Sequence, residues 1–291
     1  MPRIEHIVTV AEEGRTVKSL ALRELRVSRG LFSSLKFSGG VRLDGEVIHA
    51  DARVRAGQTL SLEWRDSGMV LTPHPMPLRI VYEDPYYWII DKPAPLPTLC
   101  SARQAGATLE NALYAHLGCP EDFVFRPVNR LDKGTSGLMA AALHPQAQAA
   151  LQKQLHISLT RRYLAVTEGV PSKASGRIDL PIGKISPSSV LRAVMPGGKS
   201  AVTDYAVLRS DGKRALISLS LMTGRTHQIR VHLAAIGCPV AGDYLYGTPL
   251  PGLEGRFALH SCALMLDHPV TSERLSFESP LPPALAALLN D

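Results

Sequence analysis

The chain has 291 residues, 45% hydrophobic and 20% charged, enough apolar side chain for one large core or two smaller ones; a disordered chain and a coiled coil are excluded. Lys plus Arg number 32 against 26 Asp plus Glu, a formal charge of +6 that mildly favours an anionic partner. The longest apolar run near the middle, Leu138 to Leu143, falls far short of the roughly 18 residues of a membrane span, and the opening MPRIEHIVTVAEEG has no secretory core, so a cytoplasmic protein with no membrane partner is expected.

Residues 1–65 read as a small separate module. Val17, Leu20 and Leu25 mark one helix, a polar VSRG turn follows, and Leu31, Leu35 and Phe37 mark a second. GGVRLDGEVIHADARVRAGQTLSLEW then alternates as strands do, with Asp44-Gly45 at a tight hairpin. Between Arg15 and Arg42 there are seven basic residues and one acid, Glu24, so the whole-chain surplus is concentrated here. Such a cluster attracts phosphates in a salt-sensitive way. Two helices and a small curled sheet with basic helices outline a compact RNA-binding module, with Arg23, Arg26 and Arg29 as its candidate contacts. A solvated helix face is the plainer alternative.

Pro73, Pro75 and Pro77 favour extended backbone, so residues 66–79 read as a linker. From there to the end, over 80–291, strand-like runs (LRIVYED, YYWIID, GLMAAAL, YLAVTEG, TDYAVLRS, ALISLSLM) alternate irregularly with helical ones (TLENALYAHL, QAQAALQKQL, HQIRVHLAAI). That order predicts an α+β domain with a mixed, mainly antiparallel central sheet and flanking helices. The four cysteines are far apart with no CxxC pair, and His227 and His232 lack ligand spacing. Neither a disulfide framework nor a metal site is expected, and the cysteines read as reduced core thiols.

Three segments can carry chemistry. In RPVNRLDKGTSGLMAAAL, Arg130, Asp132 and Lys133 lie in a loop closed by glycines directly before an apolar strand, which can hold Asp132 at a fixed angle as a nucleophile or base. An Asp in such a loop can equally be a turn former. In LMTGRTHQIRVHLAAIG a strand ends at Gly224 and a helix is expected to start near Thr226, with Ile229, Leu233 and Ile236 as its buried face. Arg225 then sits beside the positive helix end, where a fixed guanidinium suits a carboxylate or phosphate; a surface Arg is the alternative. In RRYLAVTEG, Tyr163 opens a strand and can stack on a base or simply fill the core. Asp243, in GCPVAGDYLYG, is a rival acid whose setting reads as a rigid connecting turn.

Taken in order, RLDKGTSG, RRYLAV, GKSAVTDYAVL and TGRTHQIRVHLAAIGCPVAGDYLYG resemble the RluA-type pseudouridine synthases, from about Leu78 to the end, with DKPAPLPTL and RFALHSCALMLDHP adding to the match. The N-terminal module is more loosely similar to the S-four-type RNA-binding domain. Many relatives carry His directly before the RLD triplet, where this chain has Asn129. The resemblance implies that Asp132 is the catalytic Asp of a uridine-to-pseudouridine isomerisation in RNA, with no cofactor. It makes Tyr163 the residue stacked on a flipped base and Arg225 the pocket Arg paired with Asp132. Arg130, Lys133, Arg161 and Arg162 would meet phosphates. Whether Asp132 attacks the ribose, attacks the base or removes a 2′-proton stays open. Ribosomal RNA is the favoured substrate, transfer RNA the other, and a monomer the simple expectation. A non-catalytic RNA-binding factor would not need the Asp, Tyr and Arg set, and a glycosidase would need a second carboxylate near Asp132.

Overall fold

The computed structural model describes residues 3–25, 27, 29–64, 71–100, 107–155 and 157–289. The N-terminal chain closes around its own apolar cluster. β1 (Arg3–Ile7) is followed by α1 (Val17–Arg23), α2 (Arg29–Ser38), β2 (Val41–Leu43), β3 (Glu46–Val47) and β4 (Thr59–Glu63). The strands pair antiparallel in the order β1–β4–β2–β3. Thr16 caps α1, its hydroxyl accepting the Ser19 N–H at 3.2 Å. Asp44 and Gly45 both take positive φ, 52° and 85°, as a two-residue hairpin turn demands. The Asp44 carboxylate also accepts the Thr59 N–H at 2.7 Å, tying the hairpin to β4.

Leu20, Leu35, Leu60 and Leu62 form the centre of this cluster. The second helix forms where Leu31, Leu35 and Phe37 mark it, but not all three face the cluster. Phe37 is 82% exposed, and Phe32 takes the core position instead. The helical period explains it: Leu31 and Leu35 are four apart on one face, whereas residue 37 falls six after 31 and points away.

Of the expected linker, residues 66–70 lie outside those described and 71–78 run without helix or strand. The remaining chain builds one ten-stranded sheet with helices against it. Its elements are β5 (Arg79–Glu83), β6 (Tyr87–Lys92), α3 (Leu109–His116), β7 (Arg126–Pro127), β8 (Ser136–Ala142), α4 (Pro145–Gln154), β9 (Thr160–Glu168) and β10 (Ser175–Asp179). A hairpin of β11 (Ile182–Lys184) and β12 (Arg192–Val194) follows, then β13 (Val202–Ser210), β14 (Arg214–Leu221), α5 (Gln228–Ala235), β15 (Leu259–Asp267), β16 (Arg274–Glu278) and α6 (Pro283–Ala286). The sheet order is β10–β13–β14–β9–β15–β8–β6–β5, with β16 on β15 and β7 on β8. Every pairing is antiparallel except β15 with β8, where His260 faces Ser136 and Ser261 faces Gly137. This is the α+β class with a mixed sheet.

Strand periodicity explains why the centre of the sheet is apolar on both sides. Along β6, Tyr87 and Ile89 join one cluster while Trp88 and Ile90 join another; along β8, Leu138 and Ala140 divide from Met139 and Ala141 in the same way. A strand covered on both faces reads as an unbroken apolar run, which is what GLMAAAL is. The four cysteines are free. Cys238 is buried as expected of a core thiol, but Cys119 is exposed, in the left-handed turn that ends the α3 segment.

Candidate active site

The loop between β7 and β8 carries Asp132, and the segment after β6 holds that loop on both sides. Leu96 donates its N–H to the Lys133 carbonyl at 2.9 Å, and the Thr98 hydroxyl donates to the Leu131 carbonyl at 2.7 Å. The carbonyls either side of Asp132 are thus fixed by DKPAPLPTL. Beneath this segment Lys92 is fully buried, its ammonium donating to the Pro93 and Leu96 carbonyls at 2.9 and 2.7 Å. Burial lowers the Lys92 pKa to about 7; Asp132 opposes the shift and Arg256 adds to it. Asn129 accepts the Ala140 N–H at 2.9 Å, anchoring the start of the loop to β8.

The loop glycines are close-approach positions. A Cβ on Gly134 would lie 2.5 Å from the Phe257 ring. Gly137 has φ +106°, and a Cβ there would collide with the Ser261 backbone where β8 runs parallel to β15.

Across a cavity of about 760 Å³, α5 presents Arg230 to Asp132. Arg230 Nη1 donates to Asp132 Oδ2 at 3.0 Å, while Nε and Nη2 grip both oxygens of Asp243 at 2.6 and 2.8 Å. The guanidinium carbon lies 4.1 Å from the Phe257 ring centroid. Asp243 is fully buried and also accepts the Leu245 and Tyr246 N–H groups at 2.9 and 3.2 Å. Arg230 is buried too, its side chain 2% exposed, whereas the Asp132 side chain is 28% exposed. Burial would lower the pKa of Arg230, but Asp243 and Asp132 together raise it, so the cation is permanent. One carboxylate is consumed in fixing the arginine; the other is hydrogen-bonded to it and left open to the cavity.

Tyr163, on β9, lines the same cavity with its side chain buried, and burial pushes its phenol pKa upward. His227 stands at the mouth of α5 with φ +58°, its Nε2 3.9 Å from Asp132 Oδ2.

This geometry belongs to a fold and a sequence with known relatives. Residues 86–235 match the family model described as RNA pseudouridylate synthase. The chain is 35% identical over 279 residues to the uncharacterized RNA pseudouridine synthase YjbO of Bacillus subtilis, covering 94% of this chain and 98% of that relative. It is 38% identical over 271 residues to ribosomal large subunit pseudouridine synthase D of Pseudomonas aeruginosa, covering 87% and 83%. Among solved structures, human RNA pseudouridylate synthase domain containing 4 superposes with a TM-score of 0.58 at 25% identity, over 72% of this chain and 91% of that one. The chain belongs to the RluA-type RNA pseudouridine synthases.

For this pseudouridine synthase one sequence expectation is corrected. Arg225 does not pair with Asp132. Its Nε donates to the Ser200 carbonyl at 2.9 Å and its backbone N–H to Gln228 Oε1 at 2.9 Å, although it lines the cavity. The helix begins at Gln228 rather than near Thr226; Arg225, ahead of it, is turned to the Ser200 carbonyl, while Arg230 is carried inward on the flank of the Ile229 and Leu233 face. A signal for Arg230 was present: a charge on the apolar side of a helix requires a buried partner. Asp243 supplies it, from within the turn that the sequence suggested. The sequence assigns no role in the site to His227, Tyr246 or Phe257, because their roles depend on loops far apart in sequence.

Arg161 and Arg162 are separated by strand alternation. Arg161 is buried and shares the cavity face with Tyr163; Arg162 is exposed on the opposite face. Arg130 and Lys133 are exposed on the Asp132 loop, Arg23 and Arg29 are exposed on α1 and α2, and Arg26 lies outside the described residues.

Proposed function

We propose that this enzyme converts uridine to pseudouridine in ribosomal RNA, with Asp132 as the group that reacts at the nucleoside. The observation that carries the reading is the chain Asp132–Arg230–Asp243: a partly exposed carboxylate held by a buried guanidinium that is itself locked in place. The reaction breaks the bond from C1′ to N1 and joins C1′ to C5 of the same base; C5 loses a proton and N1 gains one. A carboxylate fixed by Arg230 and open to the cavity, beside a flipped-out uridine, meets its central need. Tyr163 is the residue assigned to stack on that base, with Arg161 and Arg225 as further contacts in the cavity wall. Arg130, Lys133 and Arg162 are the exposed cations offered to phosphates.

The preference for ribosomal RNA rests on relatives named ribosomal large subunit pseudouridine synthase D in Pseudomonas aeruginosa, Vibrio cholerae and Nitrosomonas europaea, at 37 to 40% identity. The N-terminal module, with two helices over a small sheet and exposed Arg23 and Arg29, is read as an S-four-type RNA-binding domain, with Arg26 as a third contact. The enzyme is read as a monomer acting in the cytoplasm.

Site-resolved pseudouridine mapping of ribosomal and transfer RNA tests the reading in a strain lacking the gene, complemented by wild type or Asp132→Asn. Wild type should restore the missing site in ribosomal RNA, and Asp132→Asn should restore none while remaining folded. Full restoration by the Asn variant removes Asp132 from the chemistry, and restoration confined to transfer RNA corrects the substrate.

A further inference from the structure

We infer that His227 is a neutral hydrogen-bond donor to the bound nucleoside, its Nε2–H aimed into the gap beside Asp132 by a relay through Tyr246 and the Arg192 backbone. The inference rests on Asp132 being the reacting group.

Three segments meet at the relay: β12 supplies Arg192, the residue before α5 supplies His227, and the turn after Asp243 supplies Tyr246. The Arg192 N–H donates to the Tyr246 hydroxyl oxygen at 3.0 Å, and that hydroxyl lies 2.7 Å from His227 Nδ1. A phenol has one proton to give. Among the described residues the acceptor within its reach is His227 Nδ1, and the inferred tautomer therefore leaves Nδ1 bare and carries the proton of the neutral ring on Nε2.

Nε2 lies 3.9 Å from Asp132 Oδ2, too far for a direct hydrogen bond, which leaves its N–H free to donate to an oxygen of the nucleoside. Oδ2 is already occupied by Arg230. The ring stays neutral because burial depresses its pKa; Asp132 and Asp243 oppose that, and Arg230 and Arg192 reinforce it. The orientation is unfavourable to the backbone, since a non-glycine residue at φ +58° sits in the left-handed region, and such strain collects at functional sites. Asp243 ties both arms together: the carboxylate that grips Arg230 also accepts the Tyr246 N–H.

The chemistry has a use for this donor. When the C1′–N1 bond breaks, its electron pair leaves with the base, and the detached uracil carries negative charge on N1 and its carbonyl oxygens. A preorganised N–H directed at such an oxygen stabilises that state more than the intact nucleoside. His227 keeps its proton throughout; it donates a hydrogen bond and transfers nothing.

The tautomer is read directly by 15N NMR of the full-length protein labelled at histidine, with His227→Gln assigning the resonance. A bare Nδ1 and a protonated Nε2 are expected in wild type, and a tautomer mixture in Tyr246→Phe. Single-turnover rates with excess enzyme are then measured on total ribosomal and transfer RNA from the deletion strain. His227→Ala should be slower by about 100-fold with half-saturation little changed; His227→Gln, which retains an N–H donor, should recover about tenfold. A protonated Nδ1 in wild type, or His227→Ala at the wild-type rate, overturns the inference. If Asp132→Asn is inactive in the same assay while His227→Ala is unimpaired, only the inference fails; if Asp132→Asn is active, the site reading fails.

Discussion

Arginine 230 carries more of the site's geometry than any residue the sequence nominated. Its guanidinium directs two donors to Asp243 and one to Asp132, so the orientation of the Asp132 carboxylate is inherited from a pair that is buried. Removing one member of such a pair leaves an uncompensated charge in the interior, at a cost of about 3–5 kcal/mol. Asp243→Asn is therefore expected to lower the unfolding free energy by about that amount in a denaturant titration. Where it still folds, turnover should fall about 100-fold or more, because the fork no longer holds Asp132 in register. Arg230→Lys keeps the charge but offers a point donor in place of a planar fork, so it should be nearly as inactive. Near-normal turnover of either variant would separate the Asp243 grip from the chemistry. At this scale the sequence is half legible: Asp132 stands out by its loop and Tyr163 by its strand, but the choice between Arg225 and Arg230 turns on the buried Asp243 partner, which only the fold brings alongside.

The elements explain why the Asp132 loop keeps its shape. β8 is buried on both faces and cannot shift, and the loop before it is stitched to the segment 93–98 by backbone and hydroxyl bonds. Lys92 sits under that segment as a cation whose only oxygen partners among the described residues are carbonyls. Its folded pKa of about 7 lies far below its ordinary value of 10.5. Between those values the unfolded chain binds more protons than the folded one, so stability gains with rising pH; below pH 7 both forms are charged and the burial penalty acts in full. Lys92→Met should remove this gain. Unfolding free energies from pH 6 to 9.5 should climb more steeply in wild type, by up to about 1.4 kcal/mol per pH unit; parallel curves would show that Lys92 is solvated in the native state. The strands and helices themselves were readable from periodicity, since alternation and the 3.6-residue repeat report burial directly. What periodicity does not report is which strands neighbour one another. The parallel contact of β15 with β8, which forces glycine at position 137, joins residues more than a hundred positions apart.

For the whole molecule, charge is divided in a way that suits a large polyanion. Arg230 in the cavity wall and Lys92 beneath the Asp132 loop are buried against internal partners, so they add little long-range field. The exposed cations Arg23 and Arg29 lie on the N-terminal helices, away from the β7–β8 loop in sequence and built over a separate apolar cluster. A ring contact links the parts: Trp64, at the end of the module, lies 5.7 Å from His144 at the start of α4, which also meets Tyr86. Affinity and chemistry should therefore respond to different substitutions. Freeing one phosphate of single-stranded RNA from its protein cation reduces the log–log dependence of binding on salt by about 0.7. Replacing Arg23 and Arg29 together with Ala should lower that slope by up to about 1.4 and weaken binding at moderate salt, while the single-turnover rate at saturating enzyme stays at the wild-type value. An unchanged slope in a filter-binding titration would take RNA contact away from these helices. A fall in the saturated rate would instead mean that the module helps to seat the uridine in the cavity, because a contact used only for capture cannot alter a step that follows it.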